Sequence, residues 1–250
     1  MTTNRNSIEF RVWGRYALFT DPLTRIGGEK CSYHVPTYEA LKGVVKSIYW
    51  KPTLIWFIDE VRVMKRIRTQ TKGTKPLAYG GGGYDLAIYT FLTGDPDEAT
   101  KVPGVEYQVR AHFEWNTHRP ELEQDRVDGK HFAIAKRMLE NGGRQDIFLG
   151  TRDCQGYVEP CRFGEGPGAY DGEGKFDYGL TFHSFGYPDE TGTNELHAYF
   201  WRPTMDDGRI RFLRPEECPV NKLVRSMTAK QFGLDQNLRS AEAEAAGMEV

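Results

Sequence analysis

The chain has 250 residues, 39% of them hydrophobic and 13% aromatic, enough for one large domain or a domain with an appended lobe. A net charge of −2 excludes a generally basic nucleic-acid-binding protein, although the halves differ. Residues 1–150 hold 22 Lys+Arg against 18 Asp+Glu, and residues 151–250 hold 11 against 17, so a polyanion is expected to meet the first half.

The N-terminus is polar, and the longest purely apolar run, Leu54 to Ile58, is too short to span a bilayer. Cys31, Cys154, Cys161 and Cys218 form no CxxC pair. They read as scattered reduced thiols of a soluble, cytoplasmic protein without a membrane partner.

Alternation from Ile8 to Phe19 predicts a first strand. Pro36 opens a helix expected over Thr37 to Trp50, with Thr37 as cap and Tyr38, Leu41, Val44, Val45 and Ile48 at helical spacing. Pro52 ends it. Leu54 to Thr71 reads as one long strand or hairpin. The four glycines Gly80 to Gly83 and the stretch Thr93 to Gly104 read as loops. Tyr107 to Trp115 is a strand. Lys130 to Asn141 is a helix stopped by Gly142 and Gly143, and Asp146 to Leu149 is a short strand.

This order, β-α-β-(β)-β-α-β, predicts an α+β fold: a ferredoxin-like, RRM-type domain over 1–158 with two helices on one sheet face. Short strands at Leu180 to Phe185, Leu196 to Trp201 and Arg209 to Leu213 predict a small antiparallel β lobe over 159–222. Residues 223–250 read as a polar, Ala/Glu-rich tail, partly helical or loose.

Three features bear on chemistry. Arg62, Lys65, Arg66, Arg68, Lys72 and Lys75 lie within 14 residues with no acid between them. Such a ladder neutralises phosphates or equally protects a solvated strand edge. No His/Cys group has metal-ligand spacing, so the expectation is chemistry with neither metal nor cofactor. Lys130-His131 stands at a helix start, where the helix dipole and a neighbouring ammonium lower a histidine's proton affinity. A neutral imidazole beside a fixed cation suits phosphodiester chemistry, although surface Lys-His pairs without function are common. Tyr49, ending the first helix, is by itself an ordinary packing residue.

Several strings together resemble one family. They are Tyr16-Ala17-Leu18-Phe19-Thr20-Asp21-Pro22-Leu23-Thr24, Gly27-Gly28-Glu29-Lys30, Val35-Pro36-Thr37-Tyr38 and Ser47-Ile48-Tyr49-Trp50-Lys51-Pro52-Thr53. His118-Arg119-Pro120, Gly129-Lys130-His131, Gly142-Gly143-Arg144, Asp146-Ile147-Phe148-Leu149-Gly150, Cys154-Gln155-Gly156-Tyr157-Val158 and Tyr187-Pro188-Asp189-Glu190-Thr191-Gly192 complete the set. The chain resembles, from about residue 8 to 220, the type I-C CRISPR-associated repeat endoribonucleases, the Cas-five-d family of the RAMP superfamily.

The resemblance implies an RRM-like domain plus a small β lobe. It implies cleavage of precursor CRISPR RNA at the 3′ base of the repeat hairpin, without a metal, by the ribose 2′-OH, leaving a 2′,3′-cyclic phosphate. It further implies retention of the guide's 5′ handle in an interference complex, beside a helical-backbone subunit and a large subunit. The family's catalytic tyrosine, lysine and histidine fall on Tyr49, Lys130 and His131. Lys130 would stabilise the pentavalent phosphate, and Tyr49 and His131 would share the acid and base roles in an order left open. The basic ladder is the candidate RNA contact. Two other readings compete: a subunit that holds the guide handle without cutting, and a metal-dependent DNA nuclease, for which the carboxylate cluster is missing.

Overall fold

The computed structural model describes residues 6–21, 29–75, 87–96, 103–127, 129–234 and 236–247. The Gly80 to Gly83 run, part of the Thr93 to Gly104 stretch and Gly27-Gly28 lie outside them.

Strand β1 (Ser7–Gly14) alternates inward Ile8, Phe10 and Val12 with half-exposed neighbours, as a strand with one covered face must. It is shorter than expected. A Cβ on Gly14 would stand 2.7 Å from the Gln155 carbonyl, and past this point the chain leaves the sheet, with Ala17 bridging to Leu92 instead.

Helix α1 (Tyr38–Ile48) begins where the Thr37 hydroxyl accepts from Ala40 N at 3.2 Å, satisfying one of the free N–H groups of the first turn. Tyr38, Leu41, Val44, Val45 and Ile48 form its buried face. Strand β2 (Leu54–Val63) follows, but β3 (Arg68–Thr74) does not continue or pair with it. Both sides of β2 are occupied, by β5 (Val105–Trp115) and by β12 (Arg209–Arg211). The chain therefore peels away, and β3 forms a two-stranded ribbon with β4 (Ala87–Thr93).

A 3-10 turn (Pro120–Asp125) leads into helix α2 (Lys130–Glu140), which ends at Gly142 and Gly143, both with positive φ. Strands β6 (Ile147–Phe148) and β7 (Gln155–Pro160) close the first half.

The main sheet runs β6-β7-β1-β5-β2-β12-β11-β8, where β8 is Lys175–Asp177 and β11 is Thr204–Asp206. Every strand pair within it is antiparallel. Three strands from the second half of the chain thus extend the sheet of the first.

A second sheet, β13-β10-β9, is built from β9 (Thr181–Gly186), β10 (Glu195–Trp201) and β13 (Val220–Ser226). The short helix α3 (Pro188–Thr191) ties it to α1: Glu190 receives Lys46 Nζ at 2.6 Å and the buried ammonium of Lys42. The protein is thus a mixed α/β molecule of mostly antiparallel sheets. Phe10, Val12, Leu41, Val45, Ile48, Trp56, Val109, Ala111, Ile134 and Ala135 share one core between α1, α2 and the sheet.

The last described residues form helix α4 (Ala241–Ala246), capped by Ser240. It docks against α2, and Ala241 is fully buried. No helix among the described residues is long and apolar enough to cross a membrane.

Candidate active site

Tyr49 is the residue at which α1 stops. Its N–H still bonds Val45 O at 2.9 Å, but its backbone is extended (φ −157°, ψ 131°). Its carbonyl accepts from Trp56 Nε1 at 2.8 Å, which pins the turn into β2.

His131 is the second residue of α2, set there by Gly129. Gly129 stands at the helix cap with φ 82°, a left-handed conformation that glycine adopts without the Cβ penalty. Tyr49 and His131, 82 positions apart, meet: the phenol oxygen is 2.9 Å from His131 Nδ1, and neither residue has any surface exposed to water. Trp115 and Phe113 press their rings edge-on to the imidazole at 5.4 Å and 6.4 Å between centroids.

The protons in this pair follow from its partners. His131 Nε2 lies 2.6 Å from the carbonyl oxygen of Asp125. A carbonyl only accepts, so Nε2 carries the hydrogen, and Nδ1 is left as the acceptor for the Tyr49 hydroxyl. Burial holds the imidazole's proton affinity below the usual histidine value, and the Lys51 ammonium adds to this. The Asp125 carbonyl, the Asp125 carboxylate and Glu244 act in the other direction. Burial, then Glu244 and Asp125, push the Tyr49 phenol well above the ordinary tyrosine range. At neutral pH the pair is a protonated phenol donating to a neutral imidazole.

Two expectations about this site are adjusted. Burial is the largest cause of the depressed histidine, and the ammonium acting on it is Lys51. Lys130 is 39% exposed and its Nζ binds Glu242 Oε1 at 2.6 Å.

Asp125, which the sequence reading passed over, holds the pair from behind. Besides the carbonyl contact, its carboxylate accepts from Thr53 Oγ1 and from Ala241 N, each at 2.6 Å. Lys51 and Arg144 also lie beside the pair: Arg144 N and Gln145 N both donate to Ser47 O, at 3.1 and 3.0 Å. Asp125 sits in an acid-rich run, Glu121 to Asp128, with nothing to distinguish it. Lys51 and Arg144 stand in strings that carry the resemblance, but only their fold neighbours give them a role.

The basic ladder is divided by the fold. Arg62, in β2, is 3% exposed and its guanidinium binds both Asp171 oxygens, at 2.8 and 2.6 Å, and Gly166 O at 3.0 Å. Lys65 lies 3.9 Å from Glu106, and Arg66 pairs with Glu173. Arg68 pairs with Asp95 at 2.5 Å. Lys72 stands 3.5 Å over the Tyr16 ring, and Lys75 is exposed. Among the described residues no three His, Cys, Asp or Glu side chains gather as a metal site would require.

The family model and the curated relatives agree on one family. The Cas5d family model, described as CRISPR-associated protein (Cas_Cas5), matches residues 7–213. The chain belongs to this family of CRISPR-associated proteins.

The chain is 31% identical over 149 residues to "CRISPR pre-crRNA endoribonuclease Cas5d" of Mannheimia succiniciproducens, a match covering 55% of this chain and 64% of that one. It is 28% identical over 193 residues to the protein of the same name from Thermus thermophilus, covering 76% and 77%. Among solved structures it is similar to one titled as a CRISPR-associated protein, at 34% identity and a TM-score of 0.70, over 86% of this chain and 96% of the other. A functionally uncharacterized protein of Streptococcus mutans aligns at 37% identity and a TM-score of 0.69, over the same shares.

Proposed function

We propose that this chain cuts precursor CRISPR RNA at the 3′ base of the repeat hairpin, by attack of a ribose 2′-OH on its own phosphate and without a metal ion. It then keeps the 5′ handle of the guide inside a type I-C interference complex, against a helical-backbone subunit and a large subunit. The observation that carries this is the Tyr49–His131 hydrogen bond, 2.9 Å long and sealed from water. The relatives named as pre-crRNA endoribonucleases supply the substrate class.

The order β7-β1-β5-β2, with α1 and α2 as the two crossovers, supports reading these elements as a ferredoxin-like, RRM-type unit. It brings the end of α1 and the start of α2 together, which is what Tyr49 and His131 require. Both nitrogens of His131 are engaged, so a proton reaches the imidazole through the Tyr49 hydroxyl. The 2′-OH gives its proton to the phenol oxygen as the phenol passes its own to Nδ1. Lys130 meets the charge growing on the phosphate. The hairpin cations Arg66, Arg68, Lys72 and Lys75, with Lys65 at its base, hold the RNA backbone, and Arg62 stiffens the loop around Asp171.

One observation favours the second reading, a subunit that holds the handle without cutting: the catalytic pair is covered in this structure. Incubation of the protein with its own repeat RNA in excess EDTA separates the two. Cleavage to a 2′,3′-cyclic phosphate is expected, abolished by a 2′-deoxy nucleotide at the cut site. Tight binding with no cleavage by the wild type would leave the silent subunit as the correct description.

A further inference from the structure

The cover over the catalytic pair is made of charge. Lys51 stands two residues after Tyr49, and Arg144 is tied to the end of α1 through Ser47 O. Both reach Glu244 of α4: Arg144 Nη1 lies 2.8 Å from Oε1, and Lys51 Nζ 2.7 Å from Oε2. Glu242 of the same helix takes Lys130. The helix is moored by Ala241 N on Asp125 Oδ1 and by the Lys51 ammonium on Arg239 O. Glu244 and Lys51 are both nearly buried, with side chains 7% and 5% exposed.

An ammonium held this far from water costs several kcal/mol unless an anion accompanies it. In the free protein that anion is a carboxylate. A phosphodiester carries the same charge, offers the same acceptor oxygens and suits the planar fork of an arginine.

The carboxylate is also replaceable. Glu244 Oε2 is within ion-pair distance of Lys51 yet makes no aligned hydrogen bond. A helix of six residues does not persist on its own, so α4 stays only while these contacts last. Beside it runs a groove of about 740 Å³, lined among others by Lys46, Trp50, Lys51, Arg144, Lys230 and Arg239. Glu39, Asp189 and Glu190 line it too, with Lys46 paired to Glu190, and the other cations and the exposed indole suit a nucleotide strand.

We propose that Lys51 and Arg144 bind the phosphodiester presented to Tyr49 and His131. In the free protein Glu244, with Glu242 on Lys130, fills that site in place of phosphate, and RNA must displace it. This rests on the reading of Tyr49 and His131 as the cutting pair. The tail is then a brake: repeat RNA that fills the groove releases it, and RNA that cannot does not.

The test sets one partner against the other in the full chain. Glu244→Gln keeps the shape and one acceptor oxygen, enough for Arg144, but drops the charge and the second acceptor that faces Lys51. It is expected to raise single-turnover cleavage about tenfold, equivalent to ~1.4 kcal/mol. Glu242→Gln, at an exposed position that cannot unfold the protein, should raise it by a smaller factor. Lys51→Ala should slow cleavage in the wild-type and Glu244→Gln backgrounds alike.

If Lys51 merely fastens the tail, Lys51→Ala will accelerate cleavage as Glu244→Gln does, and the phosphate assignment is wrong. If neither glutamate variant changes the rate, the brake is wrong. Affinity for a 2′-deoxy repeat RNA gives a reading independent of cutting. Glu244→Gln should tighten it, and adding Lys51→Ala should weaken it and lower the salt slope by about one phosphate. This pattern in a protein that cuts nothing would keep the phosphate site and discard the enzyme, whereas its absence would discard the site.

Discussion

Tyr49 and His131 are shut away among Trp115, Phe113 and α4, whereas β3 shows most of its side chains to water. Both regions carry groups expected to act on RNA, and they use charge in opposite ways. In the closed pocket a single proton position or carboxylate matters, because nothing screens it. On the hairpin the cations stand in exposed, solvent-screened contacts, so each is worth ~1 kcal/mol or less. In the proposed function, grip on RNA would be spread over many weak contacts, while cutting would depend on a few strong ones.

The sharpest way to break this contrast is Tyr49→Phe. It removes the donor to His131 Nδ1 and should slow cleavage ~10²–10⁴-fold with RNA affinity kept, at a stability cost of ~1–3 kcal/mol for the unpaired nitrogen. A gel assay at saturating RNA, with a thermal melt alongside, reads both. Cleavage within a factor of three of wild type would remove Tyr49 from the chemistry.

Acid probes the buried side of the molecule next. Burial pushes His183 down to about 3 and lowers His131 as well. The unfolded chain binds protons near pH 6.5 that these folded sites refuse. Their stabilisation is therefore complete above pH 6.5 and is lost as pH falls from 6.5 towards 3. For His183 the loss amounts to ~2 kcal/mol at pH 5. His112 opposes this: burial disfavours its proton, but Asp59 at 2.8 Å wins and raises it, so its contribution is present below pH 6.5 and fades as pH rises. Melting temperature against pH for His183→Gln should be flatter than for wild type between pH 6.5 and 4.

Gly129→Ala puts a side chain at φ 82° where space is free. The cost is backbone strain alone, about 1 kcal/mol, and a shifted start of α2 would show as slower cleavage at unchanged affinity. The smallest effect on folding belongs to the hairpin. Arg68→Ala, Lys72→Ala and Lys75→Ala should each change stability by no more than ~0.5 kcal/mol, and the three are combined for the binding assay. The salt slope of RNA binding should fall by about 2, and cleavage at saturating RNA should not change. A slower saturated rate would mean that the hairpin takes part in the chemistry.

The sequence was most readable where periodicity and punctuation agree. Thr37 and Pro52 bracket α1, and Gly142 and Gly143 stop α2. The motif strings led to the family that the comparisons then showed. What one-dimensional reading could not resolve was partnership. Arg62 and Arg68 look alike in a run of bases, yet β12 covers one side of β2 and buries Arg62 on Asp171 while Arg68 stays in water. Arg119 and Asp189 stand in two of the resembling strings, and the fold joins them as an ion pair, so their motif residues hold the structure together. Asp125, Lys51 and Glu244 acquire meaning only through neighbours far along the chain.

Among the described residues the main sheet is eight strands wide, but its outermost members, β6 and β8, have two and three residues. A wide open sheet ordinarily offers unpaired N–H and C=O rows to any passing extended chain. Here the two terminal strands offer only a few peptide groups each, a short template for a foreign strand, while β7 from Tyr157 to Pro160 runs on beyond its pairing with β6. Breadth is gained with short terminal strands, which limits edge-to-edge pairing between copies of the chain at the two ends of the sheet.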